Sequence, residues 1–150
     1  MNAQKIILAL ALAWGIAPVT DAVAARRAAQ QQGRDVEIVI ASKVGFDTGS
    51  ASLARAYYPN LRSVVDDLKA SPDASIVIRG HTDAEGDPRS NMELSRDRAQ
   101  SVADYLISQG IARRRIEVYG HGEKKPVAPN TTEEGREKNR RVVIRIHYPK

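Results

Sequence analysis

The chain of 150 residues contains no cysteine. That excludes a disulfide framework, a lipid-bearing cysteine and thiolate chemistry. Aromatic residues make up only 5%, too few for the stacking platforms on which single-stranded nucleic acid is held, so nucleic acid is not an expected partner. No apolar run reaches the ~20 residues of a membrane-spanning helix; Ile6 to Val19 covers only 14. The alternating ten-residue segments of an outer-membrane barrel are missing too. No Gly-x-Ser-x-Gly turn, Gly-rich phosphate loop or His-Glu-x-x-His helix occurs, and no carboxylate pair with separated acidities is visible. Neither an enzyme nor a cofactor is expected. No repeat at a period of about 20 to 50 residues points to a solenoid.

What is present describes one exported globular domain. Hydrophobic residues make up 42%, and the length leaves room for a single core. Lys5 precedes the apolar run, and Ala22-Val23-Ala24 follows with the small-x-small pattern of a signal-peptidase site. Residues 1–24 therefore read as a signal peptide, 25–35 as a short tether rich in Ala, Gln and Arg, and 36–150 as the domain. A retained anchor is the competing reading, but the run is short, and Asp21 lies beyond it rather than inside a span as an ion-conducting carboxylate would. Cleavage would remove one lysine and one aspartate, so the net charge stays at +5. Arg113-Arg114-Arg115 and the Arg136 to Arg145 region supply much of this basicity, which favours anionic wall polymers, lipopolysaccharide or lipid surfaces.

Hydrophobic periodicity gives the elements. Val36, Ile38 and Ile40 alternate as a first strand. Leu53, Tyr57, Leu61, Val64, Val65 and Leu68 recur at helical spacing, interrupted by Pro59, which predicts a kink or a helix beginning near Tyr58. Ile76 to Gly80 form a second strand, Asn91 to Gln109 a second helix capped by Asn91 or Ser90, and Ile116 to Gly120 a third strand. Thr131 with Glu134 fits a capping box for a short helix, and in the last strand Val142, Ile144 and Ile146 point one way and Val143, Arg145 and His147 the other. The sum is an α+β two-layer sandwich, a mixed four-stranded sheet with two main helices on one face.

The densest chemistry lies in Ile76-Val77-Ile78-Arg79-Gly80-His81-Thr82-Asp83-Ala84-Glu85-Gly86 and the helix start Asn91-Met92-Glu93-Leu94-Ser95-Arg96-Asp97-Arg98-Ala99. Asp83 falls on the loop just past a strand, and Leu94 and Arg98, four apart, share one face of the helix that leaves that loop. A carboxylate, a guanidinium and an apolar contact can thus converge, a combination suited to a zwitterion. These residues resemble the peptidoglycan-binding domain of the OmpA C-terminal family, which includes the MotB and Pal domains. A second resemblance follows in Gly120-His121-Gly122-Glu123 through Asn139-Arg140-Arg141-Val142, and together the similarity spans about Val36 to His147. Pro59 departs from the family pattern, where proline falls nearer the helix start.

The resemblance implies noncovalent binding of peptidoglycan. Asp83 and Arg98 would grip the ammonium and carboxylate of diaminopimelate in the stem peptide. Asn91 and Leu94 would support them, Thr82 and Asp47 would line the same cleft, and Arg140 or Arg141 would neutralise ligand carboxylates or brace the Asp83 loop. Strand register leaves open which of those two arginines faces inward. Read without the resemblance, Asp83 caps a turn, Arg98 pairs with Glu93 or Asp97 on the surface, Asn91 caps a helix and Leu94 fills the core. His81, Asp83, Glu85 and His121 have the look of a metal set, but nothing supplies three ligands on rigid elements, so no metal is expected. The implied setting is periplasmic, at the wall or outer membrane, with other envelope proteins as further partners. The alternative function is a structural module of a secretion or motility assembly in which protein contacts dominate; a wall-remodelling hydrolase lacks its nucleophile.

Overall fold

The computed structural model describes residues 6–9, 24, 28, 32–46 and 49–149. The region of the expected cut, most of the expected tether and Asp47 lie outside the described residues. In chain order the elements are β1 (Ile6–Ala9), β2 (Asp35–Ala41), α1 (Ser42–Gly45), α2 (Tyr58–Ala70), β3 (Ser75–His81), α3 (Pro88–Ser108), β4 (Ile116–Gly120), α4 (Glu133–Asn139) and β5 (Arg141–His147). Short 3-10 turns at Arg55–Tyr57 and Arg113–Arg115 precede α2 and β4.

The four expected strands form the mixed sheet β2-β5-β3-β4, antiparallel except for the parallel β3/β4 pair. A fifth strand was not expected: within the stretch read as a signal peptide, β1 pairs parallel to the β2 edge, Ile6 opposite Val36. Side chains alternate across the sheet. Val36, Ile38, Ile40, Ile76, Ile78, Val142, Ile144 and Ile146 are buried on one face, in a single core with Leu61, Val64, Val65 and Leu68 of α2 and Ala99, Val102, Ala103 and Leu106 of α3. Both main helices thus cover the same face. Glu37, Val39, Val77, Arg79 and Arg145 alternate onto the other face and are only half-buried.

Local chemistry explains the boundaries. Pro59 falls in the first turn of α2, where its missing N–H costs nothing, and the helix begins at Tyr58 rather than kinking. α3 starts at Pro88, three residues before the expected Asn91. Its cap is Asp87, whose Oδ2 accepts from Ser90 N at 2.9 Å and Ser90 Oγ at 3.1 Å. An aspartate before a proline is a helix start as well as a turn, and here the helix wins. The cap of α4 is likewise one residue later than expected: Thr132 Oγ1 accepts from Gly135 N at 3.1 Å, so the capping-box reading with Thr131 and Glu134 is corrected.

Arg115 is a structural residue rather than a free surface charge. Its guanidinium donates to the carbonyls of Ala74 at 2.8 Å, Leu68 at 3.1 Å and Ser71 at 2.6 Å. It ties the end of α2 to the approach of β4. The basicity available to a partner is smaller than the Arg113-Arg114-Arg115 run suggests.

Candidate ligand-binding cleft

A cleft of about 560 Å³ opens at the carboxyl ends of β2 and β3. Each wall comes from a different element. β3 leads into Thr82 and Asp83; the first turns of α3 present Asn91, Leu94 and Arg98; α1 supplies Ser42 and Lys43; α4 and the residue after it supply Glu133, Glu137 and Arg140. Ser42 N donates to Arg140 O at 2.9 Å, which joins the α1 wall to the start of β5.

Asp83 is 7% exposed. Its Oδ1 accepts from Glu85 N at 2.9 Å, the turn contact expected of a loop aspartate, and its Oδ2 accepts from Arg140 Nη1 at 2.6 Å. Arg140 also donates through Nη2 to Glu133 Oε1 at 2.6 Å, so one guanidinium bridges two carboxylates. Burial lowers the pKa of Arg140, but the hydrogen bonds to Asp83 and Glu133 outweigh it and raise the value. The same contact, with a second from Arg136, holds the Glu133 carboxyl below its ordinary range.

Arg98 is 6% exposed and is fixed from three sides. Nε donates to Ser50 O at 3.0 Å, Nη1 to Ser42 Oγ at 3.3 Å, and the guanidinium carbon lies 5.5 Å from the centroid of Phe46. The surface pairing with Glu93 is not formed; Glu93 pairs with Arg89 at 3.4 Å. Burial first, and then the nearby charge of Arg140, lower the pKa of Arg98, while Asp83 opposes them. Among the described residues no carboxylate forms an ion pair with Arg98. Arg98 thus presents a buried, oriented cation to the cleft with no ion-pair partner among the described residues, which suits a ligand carboxylate.

The other expected residues divide. Leu94 lines the cleft beside Arg98, as the four-residue spacing requires. Asn91 lines it too but is chiefly a brace, its Nδ2 donating to Glu85 O at 2.8 Å and Glu123 Oε2 at 3.0 Å. Thr82 spends its hydroxyl on Asp83 O at 2.9 Å. Arg140 is the inward arginine. Arg141 is not at the cleft, which corrects its assignment as a ligand contact: it opens β5 opposite His81 and donates to Asn139 O at 3.1 Å and Lys125 O at 3.2 Å. Asp47 lies outside the described residues. His81 stacks on His121 with centroids 5.1 Å apart, on the side of the sheet away from Gly80 and α3, and so does not join Asp83 in a ligand set.

Sequence reasoning did not single out Ser42, Lys43, Phe46, Glu133 or Glu137. Ser42 and Arg98 are 56 positions apart, and no local pattern signals such a contact. Asn139 is a brace of the same kind. Fully buried, it accepts from Val127 N at 2.8 Å and Ala128 N at 3.0 Å and donates to Ala128 O at 2.8 Å and Asn130 Oδ1 at 3.0 Å. Asn130 in turn accepts from Ala84 N at 3.2 Å, beside Asp83. Asn139→Ala strands these groups in the interior and is expected to cost about 3 kcal/mol in urea unfolding.

An α+β sandwich with a charged cleft at the strand ends, one wall a loop aspartate and the other a clamped arginine, is the class of molecule defined by this geometry. The chain belongs to the OmpA family, whose family model matches residues 45–140. It is 44% identical over 112 residues to the peptidoglycan-binding protein ArfA of Mycobacterium tuberculosis, a match covering 75% of this chain and 34% of that protein. The chain thus spans about a third of that relative's length. Among solved structures it resembles the peptidoglycan-associated lipoprotein from Burkholderia pseudomallei, with TM-score 0.65 and 32% identity over 69% of this chain and 88% of that one. It also resembles the cell wall anchor of the T6SS from Pseudomonas aeruginosa, with TM-score 0.68 and 32% identity over 75% and 80%.

Proposed function

We propose that the protein binds peptidoglycan noncovalently through this cleft, without catalysing a reaction, and so holds an envelope component to the wall. Asp83 takes the side-chain ammonium of diaminopimelate and Arg98 its carboxylate, with Leu94 as apolar cover. The observation that carries the reading is Arg98: a buried guanidinium, oriented by Ser50, Ser42 and Phe46, that lacks a carboxylate partner among the described residues and lines the same cleft as Asp83. That its relatives include a peptidoglycan-binding protein and a cell wall anchor supports the reading. The setting is the cell envelope. Residues 1–24 are inferred to direct export and then be removed, which would take β1 from the edge of β2. A modest affinity at one site suffices, because a polymeric wall presents many ligands at high effective concentration.

The test is cosedimentation with purified diaminopimelate-type sacculi. Asp83→Ala and Arg98→Ala each remove a charge-assisted contact of about 1.5 to 3 kcal/mol, so each should weaken retention by roughly tenfold or more while far-ultraviolet circular dichroism stays unchanged. Lysine-type wall fragments lack the second carboxylate and should bind as weakly as Arg98→Ala does to diaminopimelate-type wall. Equal binding to both wall types would remove the assignment of Arg98, and full retention of both variants would remove the cleft.

A further inference from the structure

The helix-free face of the sheet carries a second concentration of charge at the same end of β3. Register puts Arg79 opposite Tyr119 on β4 and Val143 on β5, and His81 opposite Arg141. Side chains opposed in this way lie ~5 Å apart. His121, just past β4, stacks on His81 at 5.1 Å and on Tyr119 at 6.5 Å. The bond from Arg141 Nη2 to Lys125 O, 3.2 Å, draws the loop after His121 over the same spot. Arg79, Lys125 and Arg141 come from a strand, a loop and another strand, and the charges of all three act on His81.

Their charges are only weakly compensated, Glu37 being the one acid that favours the Arg141 cation. Among the described residues none of the three forms an ion pair, and Arg141 spends its hydrogen bonds on the carbonyls of Asn139 and Lys125. The nearby acids are engaged elsewhere: Glu37 with Arg145 at 2.7 Å and Glu117 with the Tyr119 hydroxyl at 2.7 Å. Beside the cations His81 is 4% exposed, and its Nδ1 and the Nε2 of His121 have no hydrogen-bond partner among the described residues. Like charges gathered on one sheet face repel, and no ion pair among the described residues offsets that repulsion.

We propose that this cluster is a second binding site, for a phosphate-type oxyanion held by Arg79, Lys125 and Arg141 over the His81–His121 stack. Three cations from three segments match a tetrahedral anion, whose oxygens point in several directions, better than a planar carboxylate. The site is separate from the cleft: consecutive residues divide between the two, Arg140 facing Asp83 and Arg141 facing away. The anion's source is either free phosphate or the phosphate of a lipid headgroup.

Nuclear magnetic resonance titration of the full chain with inorganic phosphate, against chloride at matched ionic strength, tests the proposal. Phosphate should shift Arg79, His81 and His121 saturably and raise the thermal midpoint. Arg79→Gln and Lys125→Gln should each weaken binding about fivefold or more, and Arg98→Ala should leave it unchanged. Both glutamine variants should fold, since each relieves repulsion, and their thermal midpoints in phosphate-free buffer should equal or exceed that of the parent. Flotation with phosphatidylglycerol vesicles, absent with phosphatidylcholine and lost in Arg79→Gln, would identify a headgroup as the source; titration by free phosphate without flotation would identify the free ion. Equal responses to chloride and phosphate, or a loss that follows Arg98→Ala, would overturn the site. Wall binding by Arg79→Gln separates this result from the cleft, because it should remain at the parental level.

Discussion

Gly80→Ala is expected to destabilise the protein by about 3 kcal/mol or more, a large part of the ~5 to 15 kcal/mol that holds a domain of this kind together. A Cβ at Gly80 would overlap the carbonyl oxygen of Ser95 and press on its carbonyl carbon. Those atoms are main chain in the middle of α3, so no side-chain rotation relieves the contact. α3 would have to lift from β3, and the core residues Ala99, Val102 and Leu106 would lose contact with Ile76 and Ile78. The effect reaches the cleft, because β3 leads to Asp83 and α3 carries Arg98. Urea unfolding should show the loss of stability, and whatever folded protein remains should sediment poorly with sacculi. A variant within about 0.5 kcal/mol of the parent would mean that α3 does not seat on Gly80.

The second large effect is acid destabilisation through His81. Burial first, and then the charges of Arg141, His121, Lys125 and Arg79, lower its pKa from 6.5 to about 3. The unfolded chain takes up this proton near pH 6.5 and the folded chain only near pH 3. Between those values the unfolded state binds more protons, so stability rises with pH. The contribution is complete above about pH 6.5 and is lost as the pH falls toward 3, at about 1.4 kcal/mol per unit. His121 shifts in the same direction, burial again leading. From pH 6.5 to 4.5 the parent should lose about 2 to 3 kcal/mol more than His81→Gln, measured by urea unfolding at each pH. Parallel profiles for the two proteins would show that His81 takes its proton while folded.

Several boundaries were legible because their causes are local. The alternation of Val36, Ile38 and Ile40, and of Val142, Ile144 and Ile146, is the pleat of a strand with one buried face. The recurrence of Leu61, Val64, Val65 and Leu68 is the helical period. Pro59 could not sit inside a helix, so α2 had to begin beside it. Where two local rules competed, the reading slipped by a few residues. Asp87-Pro88 satisfies both a turn and a helix start, and Thr131 and Thr132 are equally good caps until the chain direction into α4 is known. The strand at Ile6–Ala9 was hidden because a short apolar run serves a leader and an edge strand alike.

Amino-acid order by itself determined the α+β class, the identities of the two main helices and of strands β2 to β5, and the convergence of Asp83 with the Leu94–Arg98 face. Each of these depends on steric and periodic rules acting over a few neighbouring residues. Tertiary structure alone decided which of Arg140 and Arg141 enters the cleft, because a shift of one residue in β5 exchanges the two faces. It alone placed Ser42, Ser50 and Phe46 around Arg98 and Asp83 beside Arg140. The hydrogen bonds concerned join residues 48, 56 and 57 positions apart. Contacts of that range form only when the core has packed the sheet against both helices, so the geometry of the cleft is a property of the folded chain.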